Sequence, residues 1–183
     1  SIGGSTELSV PGNWSKKPDV AVVVFGEEPY AEGQGDVHTL AYRNGRMEDL
    51  ELIQKLQSQD IPVVSVFITG RPLWVNAEIN SSDAFVVAWL PGTEGGGVAD
   101  VLVADSDNNP RYDFTGRLSF DWPNKDMNSQ NEALPVFDNL LQLGQGLSYG
   151  DESILPDSLS EISAAAPSSE ANIIFSGSSQ EPW

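Results

Sequence analysis

Cysteine is absent from this chain, which excludes disulfides and thiolate metal sites. Cations are scarce: nine Lys and Arg stand against 27 Asp and Glu, a formal net charge of −18. Such a surface repels phosphate backbones and anionic membranes, so neither nucleic acid nor a membrane is expected as a partner. Histidine occurs once, at His38. A lone histidine without a companion reads as a polar surface residue, and no metal or cofactor is expected. No apolar run approaches the roughly 18 residues that a membrane-spanning helix needs. The chain starts Ser1-Ile2-Gly3-Gly4, without methionine or leader, as expected of a fragment.

What is present suits a folded domain. The 183 residues are 39% apolar, enough for a packed core. Asp19 to Gly26 (DVAVVVFG) is a short unbroken apolar run, the pattern of a strand covered on both faces. Pro62 to Gly70 and Ala84 to Leu90 repeat it. Between the first two, Arg46 to Gln59 predicts a helix, with Met47, Leu50, Ile53 and Leu56 at helical spacing. After the third run, Val98, Val101 and Leu102 share the face of a second helix, with Thr93 as its expected cap. A fourth strand is expected over Gly116 to Trp122, where Leu118, Phe120 and Trp122 alternate with polar residues.

Strands alternating with helices imply an α/β fold with a doubly wound, mostly parallel sheet. Residues 1–150 are expected to form this domain with its N-terminal part missing, because the Asp19 to Phe25 strand reads as central and needs neighbours on both sides. Residues 151–183 read as a Ser/Ala-rich linker, with Ala171 to Gly177 as the possible first strand of a further β domain.

The first crossover is long. Glu27 to Gly45 joins strand to helix, where such connections usually take about 2 to 6 residues. It leaves the carboxyl end of a parallel strand, the edge at which such folds bind ligands. Glu27, Glu28, Glu32 and Asp36 all precede its first cation, Arg43. Carboxylates with few partners raise one another's pKa, and a carboxyl held protonated near neutrality is what a general acid needs. A solvated acidic loop fits the same run and is the commoner arrangement in a chain this acidic.

Five ordered blocks carry a resemblance: GEEPYAEGQGD (Gly26 to Asp36), ITGRPLWVN (Ile68 to Asn76), SDAFVVAWLPGTEGGGVADVL (Ser82 to Leu102), FTGRLSFDWP (Phe114 to Pro123) and LGQGLSYG (Leu143 to Gly150). In order and spacing they resemble the second domain of family 3 glycoside hydrolases, in the exo-glucanase branch. The resemblance implies a retaining, exo-acting β-glucosidase or exo-β-glucanase that releases sugars from the non-reducing end. A (β/α)8 barrel carries the nucleophile. A six-stranded α/β sandwich, the part represented here, lends the acid/base glutamate on a loop. That glutamate follows Tyr and a small residue and precedes a Gly-Asp pair, which makes it Glu32. Glu27 and Asp36 belong to the same motif as loop supports. Arg71, beyond the second strand at the same sheet edge, either holds the loop by charge-assisted hydrogen bonds or pairs structurally with a nearby acid, the commoner arrangement.

The implied partners are β-glucan oligosaccharides or β-glucosides and the barrel of the same protein, and a secreted or periplasmic setting suits polymeric glucan. The retaining scheme needs its two carboxyl groups about 5 to 5.5 Å apart. Nothing in this chain resembles the nucleophile motif, so the segment alone is expected to be inactive. The hexosaminidase branch usually takes its acid/base group from the barrel, against which the Glu32 motif argues. A flavodoxin-like binding module without chemistry is the competing interpretation.

Among the other conspicuous residues, Trp74, Trp89 and Trp122 read as packing. Asp105 to Asp113 is oxygen-rich, but its spacing is not that of an EF-hand, and a polar turn is expected there.

Overall fold

The computed structural model describes residues 4–10, 12–42, 47–107, 109–126 and 138–162. The suggested strand Ala171 to Gly177 lies outside them.

The three apolar runs become three parallel strands: β1 (Ala21–Gly26), β2 (Val63–Ile68) and β3 (Ala84–Trp89), ordered β1-β2-β3. In register, Phe25 stands beside Phe67, which stands beside Val87. Side chains alternate between the two faces. Val23, Phe25, Val63 and Phe67 enter the buried cluster, together with Ile53 and Leu56 of the first helix, α1 (Glu48–Gln57). Phe67 is fully buried, with the rings of Phe25, Tyr42 and Phe85 centred 5.4, 5.0 and 5.9 Å away. On the opposite face of β1, Val22 and Val24 are exposed.

α1 is two residues shorter at each end than its periodicity suggests. Met47 stands at its N-cap and is exposed, so it contributes nothing to the apolar stripe. Leu52 instead meets the incoming chain at Gly12, and Lys55 donates to the Gly12 carbonyl (3.0 Å).

A short helix that no periodicity announces, α2 (Asn76–Asn80), follows β2. The helix after β3 is α3 (Gly95–Leu102), and it differs from expectation at its start. Glu94, not Thr93, is the N-cap residue, and no side chain caps it. The Thr93 hydroxyl donates to the Glu94 carboxylate (3.0 Å), so it is turned away from the helix amides.

The expected strand Gly116 to Trp122 does not form. Only Trp122–Pro123 (β4) is paired, antiparallel to Asn139–Leu141 (β5), in a separate two-stranded sheet. Leu118 is instead bonded on both sides by the turn at Gly144 and Gln145, donating to the Gln145 carbonyl and accepting from the Gly144 amide (both 2.8 Å). Asp121 accepts from Asn139 Nδ2 (2.8 Å) and from the Leu143 amide (2.6 Å). These bonds fold the segment into a loop although its side chains alternate.

Beyond Asp151 the chain packs back on α2. Asn80 forms a two-way amide pair with the Leu159 backbone (2.9 Å each way), and Asn76 Nδ2 donates to the Ser160 carbonyl (2.9 Å). Leu159 is buried.

Candidate active site

The carboxyl ends of β1 and β2 lie side by side, and the segments that leave them are tied together. Arg71 Nε lies 3.0 Å from Glu27 Oε1. The other Glu27 oxygen accepts from Thr69 Oγ1 (2.7 Å) and the Gly70 amide (3.2 Å). Glu27 is therefore satisfied by three donors, and it does not belong to a cluster of unpartnered acids. A carboxylate so bonded is a structural tie.

Arg71 is also bonded to the acidic loop. Its Nη1 donates to the Gly35 carbonyl, and its guanidinium lies over the Tyr30 ring, 4.3 Å from the centroid. Between those two contacts the chain makes one turn. The Gly35 amide donates to the Ala31 carbonyl (3.0 Å), and Gly33 takes a positive φ of 78° that glycine adopts without strain.

Glu32 sits in this turn. It is exposed, and among the described residues its carboxyl group has no hydrogen-bond or ionic partner. Asp36 follows the turn and is exposed. Its backbone amide reaches toward the Gly33 carbonyl (3.5 Å), but its carboxylate joins no bond of the network. The structure thus brings Glu27 and Arg71 together under the loop and leaves Asp36 outside. His38 is exposed further along the loop.

A cleft of about 560 Å³ lies on the inner side of the loop, with Glu28, Tyr30, His38, Tyr42 and Arg71 among its walls. Asp36 is also among them and Glu32 is not. Among the described residues no group of acids or histidines is arranged to hold a metal. Asp105 accepts from the backbone amides of Asp107 and Asn109 (2.9 Å each), which makes the oxygen-rich stretch a polar turn. Trp122 is buried and packs edge-on to Trp89 (6.2 Å).

Two features went unannounced by sequence reasoning. Tyr30 stacks on Arg71, and Trp89 adopts a positive φ of 56° where β3 ends at the same sheet edge. A left-handed tryptophan is costly, and such strain clusters at functional edges in folded proteins. Its carbonyl accepts from the Thr69 amide (3.2 Å), which ties β3 to the segment bearing Arg71.

A parallel α/β sheet with a carboxylate-bearing turn fastened at its carboxyl edge defines the class of protein: an α/β domain of the kind whose ligands are bound at that edge. Residues 5–149 match the family described as "Glycosyl hydrolase family 3 C-terminal domain", and the chain belongs to that family. It is 48% identical to the exo-1,3/1,4-beta-glucanase of a Pseudoalteromonas species, whose crystal structure superposes with a TM-score of 0.81 over 90% of this chain and 21% of that one. It is 31% identical over 159 residues to a lysosomal beta glucosidase of Dictyostelium discoideum, covering 78% of this chain and 18% of the relative. It is 34% identical over 113 residues to a periplasmic beta-glucosidase of Salmonella typhimurium, covering 60% and 13%. The chain spans about a fifth or less of the length of these relatives.

Proposed function

We propose that this chain is the acid/base-bearing part of a retaining, exo-acting β-glucosidase or exo-β-glucanase, with Glu32 as the acid/base. The observation that carries the proposal is the state of Glu32. Contacts on both sides of it hold the turn, while the Glu32 carboxyl is exposed and, among the described residues, unengaged at the carboxyl edge of the sheet; the family 3 pattern sets it apart from Asp36, whose carboxylate is also exposed. Membership of family 3 and the names of the relatives support the substrate class, β-glucosides and β-glucan oligosaccharides. The names "lysosomal" and "periplasmic" support an exported setting.

In the proposed reaction a carboxylate of the barrel domain attacks the anomeric carbon while Glu32 gives its proton to the departing glycosidic oxygen. The bond to the leaving sugar breaks, and a glycosyl ester forms on the barrel. Glu32, now ionised, takes a proton from water, whose oxygen displaces the barrel carboxylate and restores the original anomeric configuration. Glu27 and Arg71 act as supports, and the domain boundary closes the site. Asp36, which shares the motif, is assigned no bond in this support.

The test is a Glu32→Gln variant of the protein carrying its barrel. The kcat/KM for β-glucosides with poor leaving groups is expected to fall by about 100-fold or more, the usual worth of a positioned proton donor. Glucosides with activated aryl leaving groups, which need little protonation, are expected to lose far less. Equal losses on both substrates, or none, would remove Glu32 from this role.

A further inference from the structure

The turn that bears Glu32 is gripped at both ends by one side chain. Tyr30, two residues before Glu32, lies under the Arg71 guanidinium, and Gly35, three residues after it, accepts a hydrogen bond from the same guanidinium. The ring is also enclosed by backbone. A Cβ on Gly35 would overlap the edge of the Tyr30 ring. A Cβ on Gly70 would stand 2.7 Å from the Tyr30 hydroxyl oxygen and 3.6 Å from the ring carbon that bears it. Two glycines from separate segments therefore let this ring approach their backbone closely, while Tyr30 remains 44% exposed. An exposed aromatic side chain does not by itself demand such a fit.

We infer that Tyr30 is a positioning residue, a latch that sets the height and direction of the Glu32 turn through its stack on Arg71 and its seat on Gly35 and Gly70. The inference rests on Glu32 being the acid/base and adds the device that aims it. Arg71 is oriented from below by Glu27, Glu27 by Thr69 and the Gly70 amide, and Tyr30 by Arg71. The chain of contacts runs from the rigid ends of the two strands to the turn. General-acid transfer demands this rigidity, since the carboxyl must lie within hydrogen-bond reach of the departing oxygen and a misplacement of about 1 Å costs about 100-fold.

The glycines permit a specific test. Gly70→Ala would push the Tyr30 hydroxyl and tilt the ring off Arg71. Adding Tyr30→Phe removes the oxygen in conflict, leaves the next atoms at ordinary contact (3.6 and 3.7 Å) and keeps the ring. In the protein carrying its barrel, Gly70→Ala is expected to lower kcat on laminaribiose by about 10- to 100-fold. KM should change little, and the rate on a dinitrophenyl glucoside should change several-fold at most. The double variant Gly70→Ala/Tyr30→Phe is expected to recover most of the loss. Gly35→Ala, which conflicts with the ring itself, should not be recovered by Tyr30→Phe. Should Gly70→Ala fail to fold, Tyr30→Leu carries the test, with the same split between the two substrates expected.

Equal loss on both substrates in a folded Gly70→Ala or Tyr30→Leu protein, or no recovery in the double variant, would overturn the latch. A Glu32→Gln variant measured alongside separates the two ideas. If it shows the leaving-group split and the Tyr30 and Gly70 variants do not, only the latch fails. If Glu32→Gln shows no split, the acid/base assignment fails first.

Discussion

The Arg71 guanidinium meets the Glu27 carboxylate at 3.0 Å across the ends of two adjacent parallel strands, with both side chains largely withdrawn from solvent. Each partner has further work. Glu27 gathers the Thr69 hydroxyl and the Gly70 amide, and Arg71 reaches up to Gly35 and Tyr30. The pair is thus the joint between the sheet and the loop.

Replacing Arg71 by Lys should expose that geometry. An ammonium is a point charge and cannot bond Glu27 and the Gly35 carbonyl while also stacking flat on a ring. A loss of about 1–3 kcal/mol in unfolding free energy is expected for Arg71→Ala. Arg71→Lys should recover less than half of it. Denaturant unfolding of the three proteins checks this, and full recovery by lysine would show that charge alone matters there.

The segment after Asp151 is held by a paired amide contact, Asn80 with the Leu159 backbone, over the buried Leu159 side chain. Asn80→Ala is expected to release it, with about 1–3 kcal/mol of local stability lost because two backbone groups lose their partner. Limited proteolysis should then cut between Asp151 and Ile162 while the three-stranded sheet stays protected. Unchanged protection of that segment would contradict the contact's importance.

Glu78 on α2 carries the clearest pH dependence. Burial chiefly, and then the nearby Asp49 and Glu161 carboxylates, push its pKa from 4.5 up to about 7. Below about pH 4.5 the group is protonated in both folded and unfolded chains, and its contribution is fully present. As pH rises toward about 7 the unfolded chain ionises first, so this stability is lost through that window and is gone above it. The Glu78→Gln variant should therefore be the more stable protein above about pH 7, by up to about 3 kcal/mol, and its unfolding free energy should vary less between about pH 4.5 and 7. Parallel curves for the two proteins would show that Glu78 titrates normally.

The sheet was legible because its three strands are unbroken apolar runs and a stripe with helical spacing joins the first two. The expected cover on both faces is not met at β1, where Val23 and Phe25 are buried on one face while Val22 and Val24 on the other are exposed. Gly116 to Trp122 misled for a physical reason. Its alternation is that of a strand, but a strand also needs a partner along its length, and Leu118 finds one only at the Gly144 turn. α2 escaped notice because five residues are too few to show a period. At the site, the long acidic connection was readable from its length and charge, and the place of Arg71 at the same sheet edge from the end of the second apolar run. Asp36 was not separable from Glu27 on those grounds, since both are acids in one motif and only the fold decides which meets the arginine. The Tyr30 stack joins residues distant in sequence and leaves no local pattern.

The acid/base claim is tested most directly by chemical rescue of a Glu32→Ala variant in the protein carrying its barrel. Without the carboxyl group, an activated aryl glucoside still forms the glycosyl ester, but no base remains to activate water. Azide needs no base, so it should speed turnover markedly and yield β-glucosyl azide with retained configuration. The unaltered protein should show neither effect. Absence of azide acceleration and of the azide product from a folded Glu32→Ala protein would contradict the account.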